Sequence, residues 1–187
     1  FELRLEENPY RLVIEVAKSG PVSAASDPLR MPAGTGASPA TPLYYLAKGD
    51  IWSFSTGKET NLTADARAGQ FGDVTALAVS AGEQRIAFCA VSPGATADDV
   101  TAAATLWVLD LADSTARQLT PPERGRSCAD PAISPDGTTV VYAVDESGAL
   151  PPRLRIFSVQ VFPGNPAVAL TSENDEWSRY APQWLDD

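Results

Sequence analysis

Apolar and polar positions alternate through residues 1–16: Phe1, Leu3 and Leu5 against Glu2, Arg4 and Glu6, then Leu12, Ile14 and Val16 against Arg11 and Glu15. A period of two sends the two sets to opposite faces of a strand, and Glu7-Asn8-Pro9 between the runs has turn chemistry. The pattern predicts a hairpin over residues 1–17 with one wet face. Two strands alone are marginal in water, so this hairpin needs a surface to dock on. The alternation then stops. Residues 18–42 hold five prolines among small side chains and almost nothing to bury, the composition of a semi-extended linker. From Leu43 onward apolar runs resume as short β-branched and aromatic stretches separated by turn residues, which predicts an all-β domain over residues 43–187.

The clearest part of that domain is residues 130–143, a strand, a tight turn and a second strand. Pro135 presets φ for the first corner, Asp136 can bond the backbone ahead of it, and Gly137 supplies positive φ. Val140-Val141-Tyr142 then has the residue types a half-buried strand prefers. The pattern recurs. Leu62-Thr63, Leu119-Thr120 and Leu170-Thr171 end successive units and fall 57 and 51 residues apart. Internal repetition of four short strands per unit is the signature of propeller blades. The units run at about 43–63, 76–120 and 131–171, with a fourth only begun at 180–187. Trp52 and Trp107 take matching third-strand positions, as repeated packing residues do, and Arg155 is expected in their place in the third unit.

Ala132-Ile133-Ser134-Pro135-Asp136-Gly137, the strand Val140-Val141-Tyr142, the run Leu154-Arg155-Ile156-Phe157 and a closing Leu-Thr together resemble the repeat of the TolB-like, WD-type β-propellers. The resemblance covers residues 43–187. It implies a ring of blades that mostly binds proteins or carries other domains. The chain departs from the pattern in three places. Ser80-Ala81-Gly82 lacks the proline and the aspartate, the first unit lacks an innermost strand, and the fourth lacks everything after its first strand. Three blades and a fraction do not close a ring, which takes roughly 4–8. The expected architecture is an incomplete or open β-propeller of about three four-stranded blades plus the N-terminal hairpin, held by contact with something else, because an unclosed stack leaves an apolar face and a strand edge uncovered.

Composition narrows the job. The formal charge is -10, from 24 acidic and 14 basic residues, which repels phosphate backbones and anionic lipid surfaces and argues against nucleic acid. There is no histidine, so hydrolytic triads built on histidine, the usual zinc ligand and the usual proton switch near neutral pH are all excluded. No Gly-x-Ser-x-Gly elbow occurs, and no apolar run approaches the roughly 18 residues of a membrane helix. The chain starts at Phe1 without a leader, so a leader or anchor is expected before it unless the sequence is an excised piece.

In a four-stranded meander the loops joining strands two and three share a face with those leading to the next blade. Both kinds are long here (91–104 and 145–153; 64–74, 121–130 and 172–179), so recognition is expected on that face. Cys89 and Cys128 fall on the same face in neighbouring blades, which makes them a disulfide candidate suited to an extracytoplasmic compartment; the alternative is two buried thiols. Residues 172–180, with three acids beside two aromatics, lack the spacing of a calcium loop and read as a solvated loop, as do Asp98 and Asp99. Asn61-Leu62-Thr63 fits a glycosylation acceptor but falls on a repeat position. No catalytic, metal or cofactor residues are assigned. The expected function is a non-enzymatic, extracytoplasmic β-propeller-like protein-interaction module, an accessory or scaffolding subunit of a larger envelope or membrane-associated assembly, with Trp177, Arg179, Tyr180 and Trp184 as the interaction candidates. The alternative is the non-catalytic propeller of a longer enzyme such as a prolyl-oligopeptidase-type serine peptidase. A metal-using lyase acting on acidic sugars comes last, for want of histidine ligands.

Overall fold

The computed structural model describes residues 2–5, 12–15, 42–82, 84–99, 102–122, 127–146, 153–162, 164–173 and 178–184. The chain divides into two compact units, Phe1–Gly36 and Ala37–Asp187. In the first, β1 (Glu2–Leu5) pairs antiparallel with β2 (Leu12–Glu15), with Leu3 opposite Ile14 and Leu5 opposite Leu12. The expected turn at residues 7–9 and most of the expected linker lie outside the described residues.

The second unit is built from three antiparallel meanders. The first blade has three strands, β3 (Leu43–Ala47), β4 (Asp50–Ser55) and β5 (Lys58–Asn61). Its two hairpins turn on Lys48-Gly49 and Thr56-Gly57, every one of these residues at positive φ. That is the mirror-image turn whose twist matches two-residue hairpins, and it explains the glycine at each second corner. A short helix, α1 (Ala64–Arg67), follows within a stretch expected to be loop throughout. The second blade orders β6 (Val74–Val79), β7 (Arg85–Val91), β8 (Ala104–Asp110) and β9 (Thr115–Gln118), and the third β10 (Ser127–Ile133), β11 (Thr139–Asp145), β12 (Leu154–Gln160) and β13 (Val168–Ala169). This is a partial propeller of blade-like sheets, the first with three strands rather than four.

The closing Leu-Thr of each unit has a physical cause. Leu62, Leu119 and Leu170 each donate their amide N–H to a third-strand carbonyl, those of Ile51, Leu106 and Ile156, all at 2.8 Å. The amides of the same three residues donate back to the hydroxyls of Thr63, Thr120 and Thr171, at 3.0, 3.0 and 3.1 Å. Leucine covers the sheet while threonine satisfies a third-strand donor beyond the short fourth strand, so both residues repeat. Ser80 and Ser134 do similar work at the first hairpin, their hydroxyls accepting from the amides of Arg85 and Thr139.

These bonds fix the true equivalence of the blades. Because Ile51, Leu106 and Ile156 correspond, the residues after them are Trp52, Trp107 and Phe157, and their cross-strand partners are Tyr45, Phe88 and Tyr142. Each blade thus carries an aromatic pair. Phe157, not Arg155, stands in the tryptophan position, which corrects the sequence alignment; Arg155 instead pairs with Glu146 at 2.5 Å and donates to the Thr171 carbonyl.

The second blade is buried on both faces. On one side Ala87, Cys89, Val91, Leu106 and Val108 meet Ile133, Val140, Tyr142, Phe157 and Val159 of the third blade. On the other, Ile86, Phe88, Trp107 and Leu109 meet Ile51 of the first blade and Phe71 of the connection between them. Phe71 lies 5.0 Å from Trp107 and 5.3 Å from Phe88, centroid to centroid, in the tilted and edge-on geometries that aromatic rings prefer. The aromatic pair of each later blade therefore faces the blade before it, and the alternate positions face the blade after.

Candidate docking surfaces

Two surfaces follow from this stacking. The first is the loop face at the end of β7, the start of β8 and the start of β10. The connection 62–73 is tied to the end of β7 by Gly72 N–H to the Val91 carbonyl (2.8 Å) and Val91 N–H to the Asp73 carbonyl (3.0 Å), and to the loop after it by Ala97 N–H to the Asp73 carboxylate (3.1 Å). Arg67 clamps the same region, pairing with Asp50 at 3.0 Å and Asp73 at 3.4 Å and donating to the Gly49 carbonyl. Beside this knot lies a groove of about 340 Å³ lined by Thr75, Ala97, Asp99, Ser127 and Asp130 among others. The long loops thus meet around a concave surface that is ordered by backbone and carboxylate bonds.

Cys89 and Cys128 are joined by a disulfide at the groove's floor, their Cα atoms 5.7 Å apart. Cys89 is wholly buried and Cys128 nearly so. The bond ties β7 of the second blade to β10 of the third, stapling neighbouring blades where their shared core reaches the loop face.

The second surface is the far flank of the third blade. Strand alternation sends Val141, Ala143, Leu154, Ile156 and Ser158 away from the second blade; Val141 and Ala143 are buried there and the other three half-buried, while Val168 and Leu170 at the outer strand are exposed. Val168 and Leu170 are each 58% exposed. At the inner side of this flank, residues 178–184 retrace the path of β10. Leu154 N–H donates to Ser178 Oγ as Ala104 N–H donates to Ser127 Oγ, and Ala181, before Pro182, takes positive φ as Asp130 does before Pro131. Ala181 N–H donates to the Asp130 carboxylate and Trp184 Nε1–H to the Ala132 carbonyl, 51 and 52 residues back. A shallow groove of about 360 Å³ runs beside these inner segments, lined by Ala78, Val79, Ala132, Ile133, Gln183 and Trp184.

Of the interaction candidates, Tyr180 is 70% exposed and Trp184 40%. Arg179 donates its amide to the Leu154 carbonyl at 3.0 Å. Trp177, with most of the acidic stretch around it, lies outside the described residues. Sequence reasoning missed the row Leu154, Ile156, Val168 and Leu170, whose signal was alternation in β12 and β13 once the Leu-Thr bonds set the register.

Among the described residues no cluster of three or more metal-ligating side chains forms, and no helix is long and apolar enough to cross a membrane. Among the described residues three titratable groups leave their ordinary range, each through a local bond outside the two grooves. Tyr45 is raised by its hydrogen bond to Glu59, Asp113 is lowered by Thr115, and Asp136 is lowered by Ser134 and then Thr138. The chemistry these surfaces offer is burial of apolar area and pairing with peptide groups.

No protein-family model and no curated protein matches the sequence. Solved structures similar to the chain include the protein described as TolB from Agrobacterium tumefaciens, at 16% identity and a TM-score of 0.47 over 66% of this chain and 38% of that one. TolB from Acinetobacter baumannii aligns at 12% identity and 0.44 over 66% and 27%, and the tricorn protease at 17% and 0.44 over 72% and 14%. The chain spans well under half the length of each.

Proposed function

We propose that this chain is a non-enzymatic docking module, an accessory or scaffolding subunit of an extracytoplasmic assembly, and that the far flank of its third blade is the surface that binds. The observation that carries the reading is the pair Val168 and Leu170, each 58% exposed at the outer strand of a sheet whose opposite face is packed, with Trp184, 40% exposed, beyond the inner strand of the same sheet. Large apolar side chains exposed together on one sheet face mark protein contacts more than isolated ones do. Aromatic residues beside it supply the rigid, large-area anchors on which interfaces depend. The disulfide between Cys89 and Cys128 supports an oxidising compartment, where such bonds persist. The test is a photo-crosslinking residue in place of Leu170, introduced in the cell that makes the protein. A discrete covalent adduct with another polypeptide is expected. Quenching by solvent alone, with no adduct, refutes the docking role.

A further inference from the structure

We infer that a cavity between the second and third blades takes a phenylalanine side chain presented by another polypeptide. The site is separate from the far flank of the third blade, and its case comes from the other seam of the same chain. Between the first and second blades, Phe71 of the connection lies on the aromatic pair Phe88 and Trp107, 5.3 and 5.0 Å away by ring centroid. Val74, Ala90 and, at the margin, Leu62 complete its surroundings. Register gives each of these a counterpart one blade on. Phe88 and Trp107 correspond to Tyr142 and Phe157, Ala90 to Val144, and Val74, opposite Ala90, to Cys128, opposite Val144. Leu62 corresponds to Leu119 through the bond each makes to a third strand. The two aromatic pairs are spaced alike, at 6.3 and 6.1 Å between centroids.

What differs is the occupant. Leu119, Cys128, Tyr142, Val144 and Phe157 line a cavity of about 290 Å³, and among the described residues no side chain fills the counterpart of Phe71's place. That volume sits at the lower edge of the roughly 300–1,000 Å³ that small-ligand sites span. The connection in this seam cannot supply the missing ring. Ten residues separate Thr63 from Val74 but seven separate Thr120 from Cys128, and those seven, Pro-Pro-Glu-Arg-Gly-Arg-Ser, include no aromatic.

The lining selects the guest. Among the described residues around the cavity none is charged, so an ionised group entering it would lose hydration without gaining a partner. Two rings set in an aliphatic wall favour a flat apolar group, because tilted and edge-on ring contacts add to the burial of area. Asn165 and Ala167 line the cavity from exposed positions at its edge. The Asn165 amide there can pair with a peptide group, which a side chain arriving on a polypeptide brings with it and a free hydrocarbon ring does not. Phe71 shows the same combination, its ring on the aromatic pair and the amide of the next residue, Gly72, donating to the Val91 carbonyl at 2.8 Å.

A nuclear magnetic resonance titration of the whole chain tests this with the blocked tripeptide acetyl-Gln-Phe-Gly-amide, which copies residues 70–72 and carries no charge. The methyl resonances of Ala104 and Ala167, which line the cavity, should shift saturably, while that of Ala90 in the filled seam stays in place. Acetyl-Gln-Leu-Gly-amide should bind roughly 2–12-fold more weakly, the range that ring–ring geometry adds to burial. Ala167→Trp and, as a second blocking variant, Asn165→Trp, both at exposed positions, should abolish the shift at Ala104. No saturable shift in the wild type overturns the proposal, as does equal binding of the leucine peptide or binding that survives both substitutions. Toluene that binds where the tripeptide does not assigns the cavity to a free small aromatic and overturns the polypeptide source.

Discussion

Removing the Cys89–Cys128 bond tests whether the second and third blades fold as one body. The bond closes a loop of 39 residues. Chain-entropy arithmetic for a loop of that length gives about 13 cal/mol/K lost from the unfolded ensemble, or about 4 kcal/mol at 25 °C. In urea, with a slope of about 2 kcal/mol/M for a domain of this size, the midpoint should fall by about 2 M in Cys89→Ala/Cys128→Ala relative to the oxidised wild type. Burial adds a kinetic expectation. Thiol exchange needs a thiolate to reach either sulfur; Cys89 has no exposed surface and Cys128, at the groove's floor, is only 7% exposed, so reductant in native buffer should act slowly and faster when the interface between the blades opens. Thiol labelling after exposure to reductant should therefore be slow without urea and fast near the midpoint. A midpoint drop of less than about 0.5 M would mean that the loop is already restricted in the unfolded chain or that the blades unfold separately. Fast labelling in native buffer would refute the placement of the bond inside the shared core.

Other consequences are local. Thr120→Val should cost about 1–3 kcal/mol in a denaturant melt, since it orphans the amide of fully buried Leu106; an unchanged melt would show that the Leu-Thr bond does not explain the motif. Gly72→Ala should cost roughly 1–3 kcal/mol, because an added Cβ meets the carbonyl oxygens of Ala95 and Ser92 in the loop knot, and a neutral result would show that the knot yields. Asp136 is held below its ordinary 3.8 by the Ser134 hydroxyl and then by Thr138, so folding favours its carboxylate. That stabilisation is complete above the ordinary value and is lost as the pH falls through the lowered one. Asp136→Asn should flatten this part of a series of acid urea melts; an identical acid profile in the variant sinks the argument.

The parts of this fold that were legible in the sequence are those written in local chemistry. Lys48-Gly49 and Thr56-Gly57 are two-residue turns between alternating runs, and Pro135-Asp136-Gly137 is another corner whose strands follow at once. The Leu-Thr pairs were legible as a repeat but not as a cause, since a threonine hydroxyl accepting from a residue on the neighbouring strand is a contact across space. Arg155 was misplaced for the same reason: register is set by the Leu170 and Thr171 bonds to Ile156, and the run Leu-Arg-Ile-Phe aligns by eye one pair too early. Four helical residues at 64–67 make barely one turn, too few for a period to show. The docking flank was hidden more deeply. In β12, Ile156 and Phe157 are both large and apolar, yet one faces a neighbouring blade and the other does not, a difference that depends on which sheet comes next and on nothing in the strand itself. The same holds for Tyr45 and Trp52, which resemble the buried pairs of the later blades in type and register and differ in having no described blade before them. Sequence pattern therefore defines what each blade is shaped to meet, and the structure identifies which of those meetings the chain makes within itself.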